Sequence, residues 1–360
     1  MSLSSRERVL LALDHQQTDR VPIATVCAGV NRPALDQLVD HLGLANAAEG
    51  LAWIDAFVDI KSVAAAYVGP TLGSRSDGAH EDAWGVWRRP KSYGDGAYDE
   101  ICHYPLADAQ DVGDLDKHRW PSPDWLDCEG VPASIERLNA GGEVAILTGG
   151  GNIFEKSWYM RGFERMLMDL AVNPELAREI MRRVTDYCIA TLTRVLEAAR
   201  GRVDVVFTAD DIGGQNGLLM SLGMWEEHLK PHHVRLNRAL HEFGVKVMYH
   251  SDGDVMDAVP GLIDMGIDVL QALQFSAGAM DARVLKDSYG DRLCFEGGID
   301  VQTTLPFGTA DDVRREVVER IEVLGRHGGY ILGPSHAIQA GTPPENIVAL
   351  FETAAAHRWR

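Results

Sequence analysis

The stretch Val247-Met248-Tyr249-His250-Ser251-Asp252-Gly253-Asp254 places an imidazole and a carboxylate two residues apart at the end of an apolar run. Both side-chain types move protons, and both ligate divalent ions. Gly244 and Gly253 bound the run, which reads as a buried strand. Successive strand residues point to opposite faces, so His250 and Asp252 face one site if the strand geometry persists. A parallel strand that ends this way feeds a pocket at the carboxyl edge of a sheet or barrel. A His and an Asp in a polar turn would look the same, and the pair alone does not choose between the two readings.

Other apolar runs end similarly. Thr208-Ala209-Asp210-Asp211 follows 203–207, and Gln271 and Gln274 follow 267–270. Glu296-Gly297-Gly298-Ile299-Asp300 follows 293–295, and Gly333-Pro334-Ser335-His336 follows 330–332. One acid at such a place usually caps a helix. Acid, imidazole or amide groups at several strand ends together favour a shared pocket. Asp210 and Asp211 point opposite ways in an extended segment, and Asp210 is taken as the acid that enters the pocket. Glu296 is a ligand, a base or a loop anchor. His250, Asp252 and His336 suit zinc or another divalent ion with a position left for substrate, or acid–base catalysis without metal. His228, His232, His233 and His241 lie on a predicted helix and read as surface or packing residues.

The elements that must position these groups show a regular rhythm from residue 144. Apolar runs at 144–148, 203–207, 245–249, 267–270, 293–295 and 330–332 alternate with helical patterns at 174–199, 222–243, 255–265, 310–326 and 344–356. Such alternation means right-handed βαβ units and a parallel sheet. Adding Val21–Val26 and a strand near Val58–Val63 makes eight, the count of a (β/α)8 TIM-type barrel; an open doubly wound sheet is the alternative. Ser5 is expected to cap a first helix reaching Gln16, with Val9, Leu10 and Leu13 as its apolar stripe. Residues 32–58 read as two helical pieces. Trp84–Trp87 and Tyr98–Tyr104 alternate around Gly94 and Gly96, which predicts an antiparallel hairpin. The region about 68–130 therefore reads as an insertion, hairpin plus irregular connection, within one barrel domain spanning 1–360. Thr309 and Thr342 mark helix starts, and Gly149-Gly150-Gly151 a tight turn rather than a nucleotide motif.

With 34 Lys+Arg against 53 Asp+Glu, the net charge of −19 argues against generic nucleic-acid or anionic-membrane binding. Cys27, Cys102, Cys128, Cys188 and Cys294 form no CxxC pair, which fits a reducing compartment. The N-terminal stretch lacks a secretory apolar core, and no apolar run has the length of a membrane span. A cytoplasmic, soluble protein is expected.

Several segments, in order, carry a resemblance: Arg6-Glu-Arg-Val-Leu-Leu-Ala-Leu with Arg20-Val-Pro-Ile, Tyr249-His-Ser-Asp-Gly, Phe295-Glu-Gly-Gly-Ile-Asp, Leu305-Pro-Phe-Gly-Thr, and Ile331-Leu-Gly-Pro-Ser-His with Thr342-Pro-Pro-Glu-Asn-Ile. Through them the chain resembles the uroporphyrinogen decarboxylase superfamily over nearly its whole length. The resemblance implies a (β/α)8 barrel with its pocket at the carboxyl face, and a homodimer. It allows cofactor-independent decarboxylation of a porphyrinogen, or methyl transfer involving a corrinoid protein. Decarboxylases carry an Arg-Gln-Ala-Gly-Arg type loop after the first strand; here Val26-Cys27-Ala28-Gly29-Val30-Asn31-Arg32 keeps one arginine. Paired guanidinium–carboxylate contacts are the strong ones, so their loss favours the methyltransferase branch. That branch holds zinc with His-x-Cys and a later Cys, at positions that here read His250, Asp252 and His336. The resemblance thus implies a methyltransferase for a small O- or N-methylated compound, with a corrinoid protein or tetrahydrofolate as acceptor. Asp210, His250, Asp252 and Glu296 are its candidate catalytic residues; Asn31, Arg32, Gln271, Gln274 and Asp300 its substrate contacts; His250, Asp252 and His336 its metal ligands. A porphyrinogen-type or other decarboxylase is the alternative.

Overall fold

The apolar runs become strands that follow one another around one parallel sheet in chain order. They are β1 (Ile60–Ser62), β2 (Ala145–Gly149), β3 (Val205–Ala209), β4 (Lys246–His250), β5 (Val269–Ala272), β6 (Cys294–Ile299) and β7 (Tyr330–Pro334). The computed structural model describes residues 3–27, 29–94 and 96–359. Met1 and Ser2 of the N-terminal stretch and Ala28 of the 26–32 loop lie outside the described residues. From residue 144 onward the strands end one to four residues later than the hydropathy pattern reads, because polar residues continue the pairing into the pocket.

The expected strand at Val21–Val26 is reduced to a bridge between Ile23 and Leu332. Its hydrogen bonds nevertheless close the ring. Ala24 N–H donates to Leu332 O at 2.9 Å, and Leu332 N–H to Pro22 O at 2.8 Å. On the other side Asp59 N–H, just before β1, donates to Ile23 O at 2.8 Å. Pro22 has no N–H to extend the ladder, which keeps this stave short. With it, the seven strands form a (β/α)8 barrel rather than an open sheet.

Strand parity sorts the core. Ala24, Ile60, Ala145, Leu147, Val205, Met248, Val269, Cys294 and Ile331 fill the interior, with Val9 and Leu13 of the first helix in the same cluster. The intervening residues, Ile146, Val206, Val247, Tyr249, Leu270, Phe295 and Leu332, belong to the larger cluster formed with the surrounding helices. Helices Pro174–Ala199 and Pro344–Ala356 run as read from the sequence. The 222–243 pattern splits into Leu222–His228 and Lys230–His241, with Pro231 in the first turn of the second piece. The 255–265 pattern is a short 3-10 turn followed by helix Val259–Asp264. Thr309 forms a capping box with Asp312.

The first helix is capped one residue earlier than expected. Ser4 Oγ accepts from Glu7 N–H while the Glu7 carboxylate accepts from Ser4 N–H. The helix spans Ser5–Leu13 and stops short of Gln16, since His15 adopts the left-handed conformation with φ 55°. Between β1 and helix Val131–Leu138, strands Trp87–Tyr93 and Gly96–His103 form the expected antiparallel hairpin, extended by His80–Glu81. Trp84 to Val86 precede the hairpin instead of joining it. No helix among the described residues is long and apolar enough to cross a membrane.

The amino-terminal end of the barrel is tied by aspartates that immediately precede strands. Asp59 accepts from Ile23 N–H, Asp204 from Ile146 N–H and Asp268 from Val247 N–H, at 2.8, 2.9 and 2.8 Å. Asp59 is fully buried and also receives Arg8 Nη1 at 2.8 Å and Arg20 Nη1 at 2.7 Å. It therefore joins the first helix, the short stave and β1. Removing one partner of a buried charge cluster leaves the others uncompensated, so Asp59→Ala is expected to cost about 3–5 kcal/mol. Denaturant unfolding should show this as a lower midpoint; an unchanged midpoint would refute the role assigned to Asp59.

Candidate active site

Inward parity places His250, Gln271 and Glu296 in a polar layer at the carboxyl end, above Met248, Val269 and Cys294. His250 and Gln271 are register partners on β4 and β5, and Gln271 and Glu296 on β5 and β6. His250 Nδ1 is hydrogen-bonded to Gln271 Oε1. With Nδ1–H donated to the amide oxygen, Nε2 faces the cluster above, as the supporting partner of a metal-binding imidazole must arrange. The Gln271 amide reaches on to Ser335 O at 3.5 Å. Beyond Gln271 the chain turns sharply: Ala272 and Leu273 have φ 92° and 54°, conformations L residues rarely adopt. This turn brings Gln274 back toward the mouth, where its Oε1 accepts from Gly253 N–H at 2.9 Å.

β4 ends at His250, so Asp252 reaches the site through a turn and not through strand parity. Gly253 (φ 83°) completes that turn; a Cβ there would lie 2.5 Å from the Gly213 carbonyl carbon. His250 Nε2 stands 4.0 Å from Asp252 Oδ1, and His336 Nε2 3.8 Å from Asp252 Oδ2. The two imidazole centroids are 5.9 Å apart. The expected trio His250, Asp252 and His336 is thus gathered at one place. Burial raises the Asp252 carboxyl above its ordinary range, the two imidazoles pull it down, and Asp211 adds to the rise.

The choice between the adjacent acids goes the other way from the expectation. Asp210 is fully buried and spends its carboxylate on the start of helix Ile153–Arg161. It accepts from Ile153, Phe154 and Glu155 N–H at 3.1, 2.7 and 2.8 Å, and contacts His233 Nε2 at 2.6 Å. An acid at a helix N-terminus satisfies donors that have no partner within the helix. Asp211 is the one that faces the pocket, with Oδ1 3.5 Å from His250 Nε2 and 2.8 Å from Asp252 N. Val205 points inward, so the two-residue period puts Asp211 inward as well.

Two further groups at the site escape the sequence reading. Cys27 enters from the loop after the short stave. Cys27, His250 and His336 each offer a donor atom within 4.8 Å of the others, as do Asp211, His250 and Asp252. Burial and surrounding carboxylates, Asp252 and Glu296 foremost, push the Cys27 thiol well above its usual value. The second, Glu155, is held in the first turn of its helix by Asp210; its Oε2 accepts from Asn152 Nδ2 at 2.5 Å and its Oε1 from Tyr159 Oη at 3.4 Å. Burial, then the charge of Asp210, raise the Glu155 carboxyl to about 7.

Expected substrate contacts divide. Gln271 is fully buried behind His250, and Gln274, also buried, is bonded to Gly253 N–H and the Gln302 side chain. Asn31 donates to Gln339 Oε1 at 2.9 Å, while Arg32 is exposed and pairs with Asp36 at 2.7 Å, away from the cluster. Asp300 anchors the turn after β6, accepting from Gln302 and Thr303 N–H at 2.6 and 3.1 Å. Glu296 lies fully buried beneath the site, and neither of its oxygens meets a hydrogen-bond partner of ordinary geometry among the described residues. Gly333 makes room for it: a Cβ there would stand 2.6 Å from Glu296 Oε1. Burial pushes its carboxyl up to about 8, so it holds a proton at neutral pH.

That shift has a signature in stability. The folded value for Glu296 lies above the unfolded value of about 4.5, so the folded chain binds more protons between the two. Stability should fall as pH rises from about 4.5 to about 8, by up to about 1.4 kcal/mol per pH unit from this group. Glu296→Gln removes the titration and should flatten the profile relative to the native chain. Parallel unfolding profiles across that window would count against the assignment.

The family model described as Uroporphyrinogen decarboxylase (URO-D) matches residues 93–357. Curated relatives named "Uroporphyrinogen decarboxylase" come from Anaeromyxobacter sp. (strain Fw109-5) and Anaeromyxobacter dehalogenans (strain 2CP-C). They are 24% and 25% identical over 203 residues, 56% of this chain and 54% of each relative. The chain therefore spans about half the length of the curated relatives it matches. Among solved structures, a "methyltransferase from Methanosarcina mazei" superposes with a TM-score of 0.68 at 19% identity, covering 98% of both chains. The likeness extends the shared fold across the N-terminal region that the family model leaves unmatched. From barrel, strand-end motifs and family match together, the chain belongs to the uroporphyrinogen decarboxylase family.

Proposed function

We propose that this chain is a methyltransferase that takes a methyl group from a small O- or N-methylated compound, aided by a divalent ion such as zinc, with a corrinoid protein or tetrahydrofolate as acceptor. The observation that carries the reading is the pair of imidazoles, His250 with Nδ1 tied to Gln271 and Nε2 turned to the mouth, and His336 beside it across Asp252. Such a donor set fits zinc chemically: nitrogen donors, anionic neighbours and a supporting amide behind one ring. A bound divalent ion supplies Lewis acidity to the heteroatom that loses its methyl group.

The protein's own groups divide the remaining work. His250 and His336 hold the ion, with Cys27 or the aspartates as further donors. Asp211 fixes Asp252 through the Asp252 backbone N–H. Glu155, whose carboxyl is raised to about 7, would give its proton to the oxygen or nitrogen left after methyl departure. Phe207 lies 5.8 Å from the His250 ring, giving the pocket an apolar wall suited to a small donor. The methyltransferase name of the Methanosarcina structure agrees with this reading.

Porphyrinogen decarboxylation fits less well. A substrate bearing many carboxylates calls for guanidinium partners, whereas Arg32 turns to Asp36 and the cluster offers Asp211, Asp252 and Glu155.

Mixing the purified protein with chemically reduced cobalamin and a panel of methoxylated aromatic acids, methanol and methylamines tests the reading. Loss of the reduced-cobalamin absorbance is expected with at least one donor, and His250→Ala should slow it at least ~100-fold, on the order of the loss of a central catalytic group. Release of carbon dioxide from uroporphyrinogen, with no donor active, would overturn it.

A further inference from the structure

We infer that Cys27 is a ligand of the metal site, so that the ion is held by one sulfur and two imidazole nitrogens: Cys27, His250 and His336. The inference deepens the proposed methyltransferase reading and rests on it for the use of the ion, although not for its binding.

The architecture of the barrel seam carries the argument. Cys27 follows the short stave and His336 follows β7, the two neighbours whose pairing closes the ring. Above that closure their loops are bonded to each other again. Gly29 O accepts from Ile338 N–H at 2.9 Å, Ile338 O accepts from Asn31 N–H at 3.0 Å, and Val30 bridges Ile338 in parallel. The Asn31 and Gln339 side chains add a contact of 2.9 Å. The sulfur and the second imidazole are therefore presented by two loops hydrogen-bonded to each other, while His250 is set from the opposite side by Gln271. Donors fixed before an ion arrives lose little freedom on binding it.

The competing set, Asp211, His250 and Asp252, shares His250 but is less free. Asp211 Oδ1 already accepts from Asp252 N–H at 2.8 Å, so ligation by that oxygen would compete with the bond that holds its partner acid. A sulfur and two imidazoles select zinc over magnesium or calcium, which prefer oxygen. On binding, the sulfur–metal bond replaces the S–H bond of Cys27, and the displaced proton leaves to solvent. Three protein donors leave one position for substrate. The sequence motif places a carboxylate and a second imidazole where the family's zinc-binding members carry two thiolates; Cys27 returns one sulfur from a different loop.

The test uses full-length protein, stripped with chelator and reloaded with zinc or cobalt(II) under reducing conditions. The cobalt(II) form of the native chain should show a sulfur-to-metal charge-transfer band in the near ultraviolet, and zinc should protect Cys27 from iodoacetamide, read by peptide mass. Cys27→Ser should lose the band and bind zinc roughly 100-fold more weakly or worse, beyond the ~10-fold to 100-fold that loss of a supporting hydrogen bond costs. Asp211→Asn should keep the band. A native cobalt(II) form without the band, or zinc that leaves Cys27 open to alkylation, would overturn the assignment even if Cys27→Ser does not fold. So would a band retained in Cys27→Ser. Sulfur ligation without methyl transfer from any donor would sink the proposed activity while this site stands; methyl transfer by Cys27→Ser with zinc retained would do the reverse.

Discussion

Closure of the barrel at its shortest stave is the constraint on which the rest depends. Ile23 and its neighbours have few backbone bonds to offer, because Pro22 donates none and the pairing with β7 is a single bridge. The buried Asp59 compensates from below by collecting Arg8, Arg20 and the Ile23 N–H at one carboxylate. A charge cluster of this kind repays its desolvation only when its hydrogen bonds are met, and here four donor groups meet the two Asp59 oxygens. The first helix is pulled in by the same cluster, which seats Val9 and Leu13 beneath the barrel core. At the other end of the seam, Cys27 and His336 become neighbours only because that stave and β7 meet.

A second carboxylate performs the corresponding task for the mouth. Asp210 stands at the end of β3 but is turned away from the pocket, onto the free amides of helix Ile153–Arg161. That contact locks Glu155 beside Asp211 and His250 and adds its own negative charge to the burial that raises the Glu155 carboxyl. Buried carboxyls at increasing depth thus take different protonation behaviour from their surroundings. Glu155 lies near neutrality under the influence of Asp210, and Glu296, with no charge partner, is pushed higher by burial alone apart from the Gln271 amide.

Much of the fold was legible in residue pattern. Apolar runs separated by helical periods give parallel strands because each run must bury both faces, and helices Pro174–Ala199 and Pro344–Ala356 match the pattern residue for residue. Strand ends were less legible, since Gln271 and Glu296 continue the pairing as polar residues. Parity was the one local signal that reached the site. It puts His250 above Met248 and, counted from Val205, favours Asp211 over Asp210. It gave no guidance for Cys27, Asp252 or Glu155, which lie beyond the strands in loops or a helix turn.

What the sequence determined by itself was the barrel count, the polar strand ends, the inward place of His250 and the family. These follow from local spacing and short motifs. Only the tertiary structure decided that Val205, and with it Asp211, faces inward, that Arg32 turns to Asp36, and that a cysteine from the loop after the short stave joins the histidine ending β4 and the one following β7. The last of these is a meeting of residues more than two hundred positions apart, brought together by ring closure. No local period encodes a meeting that distant; it exists once the barrel is closed.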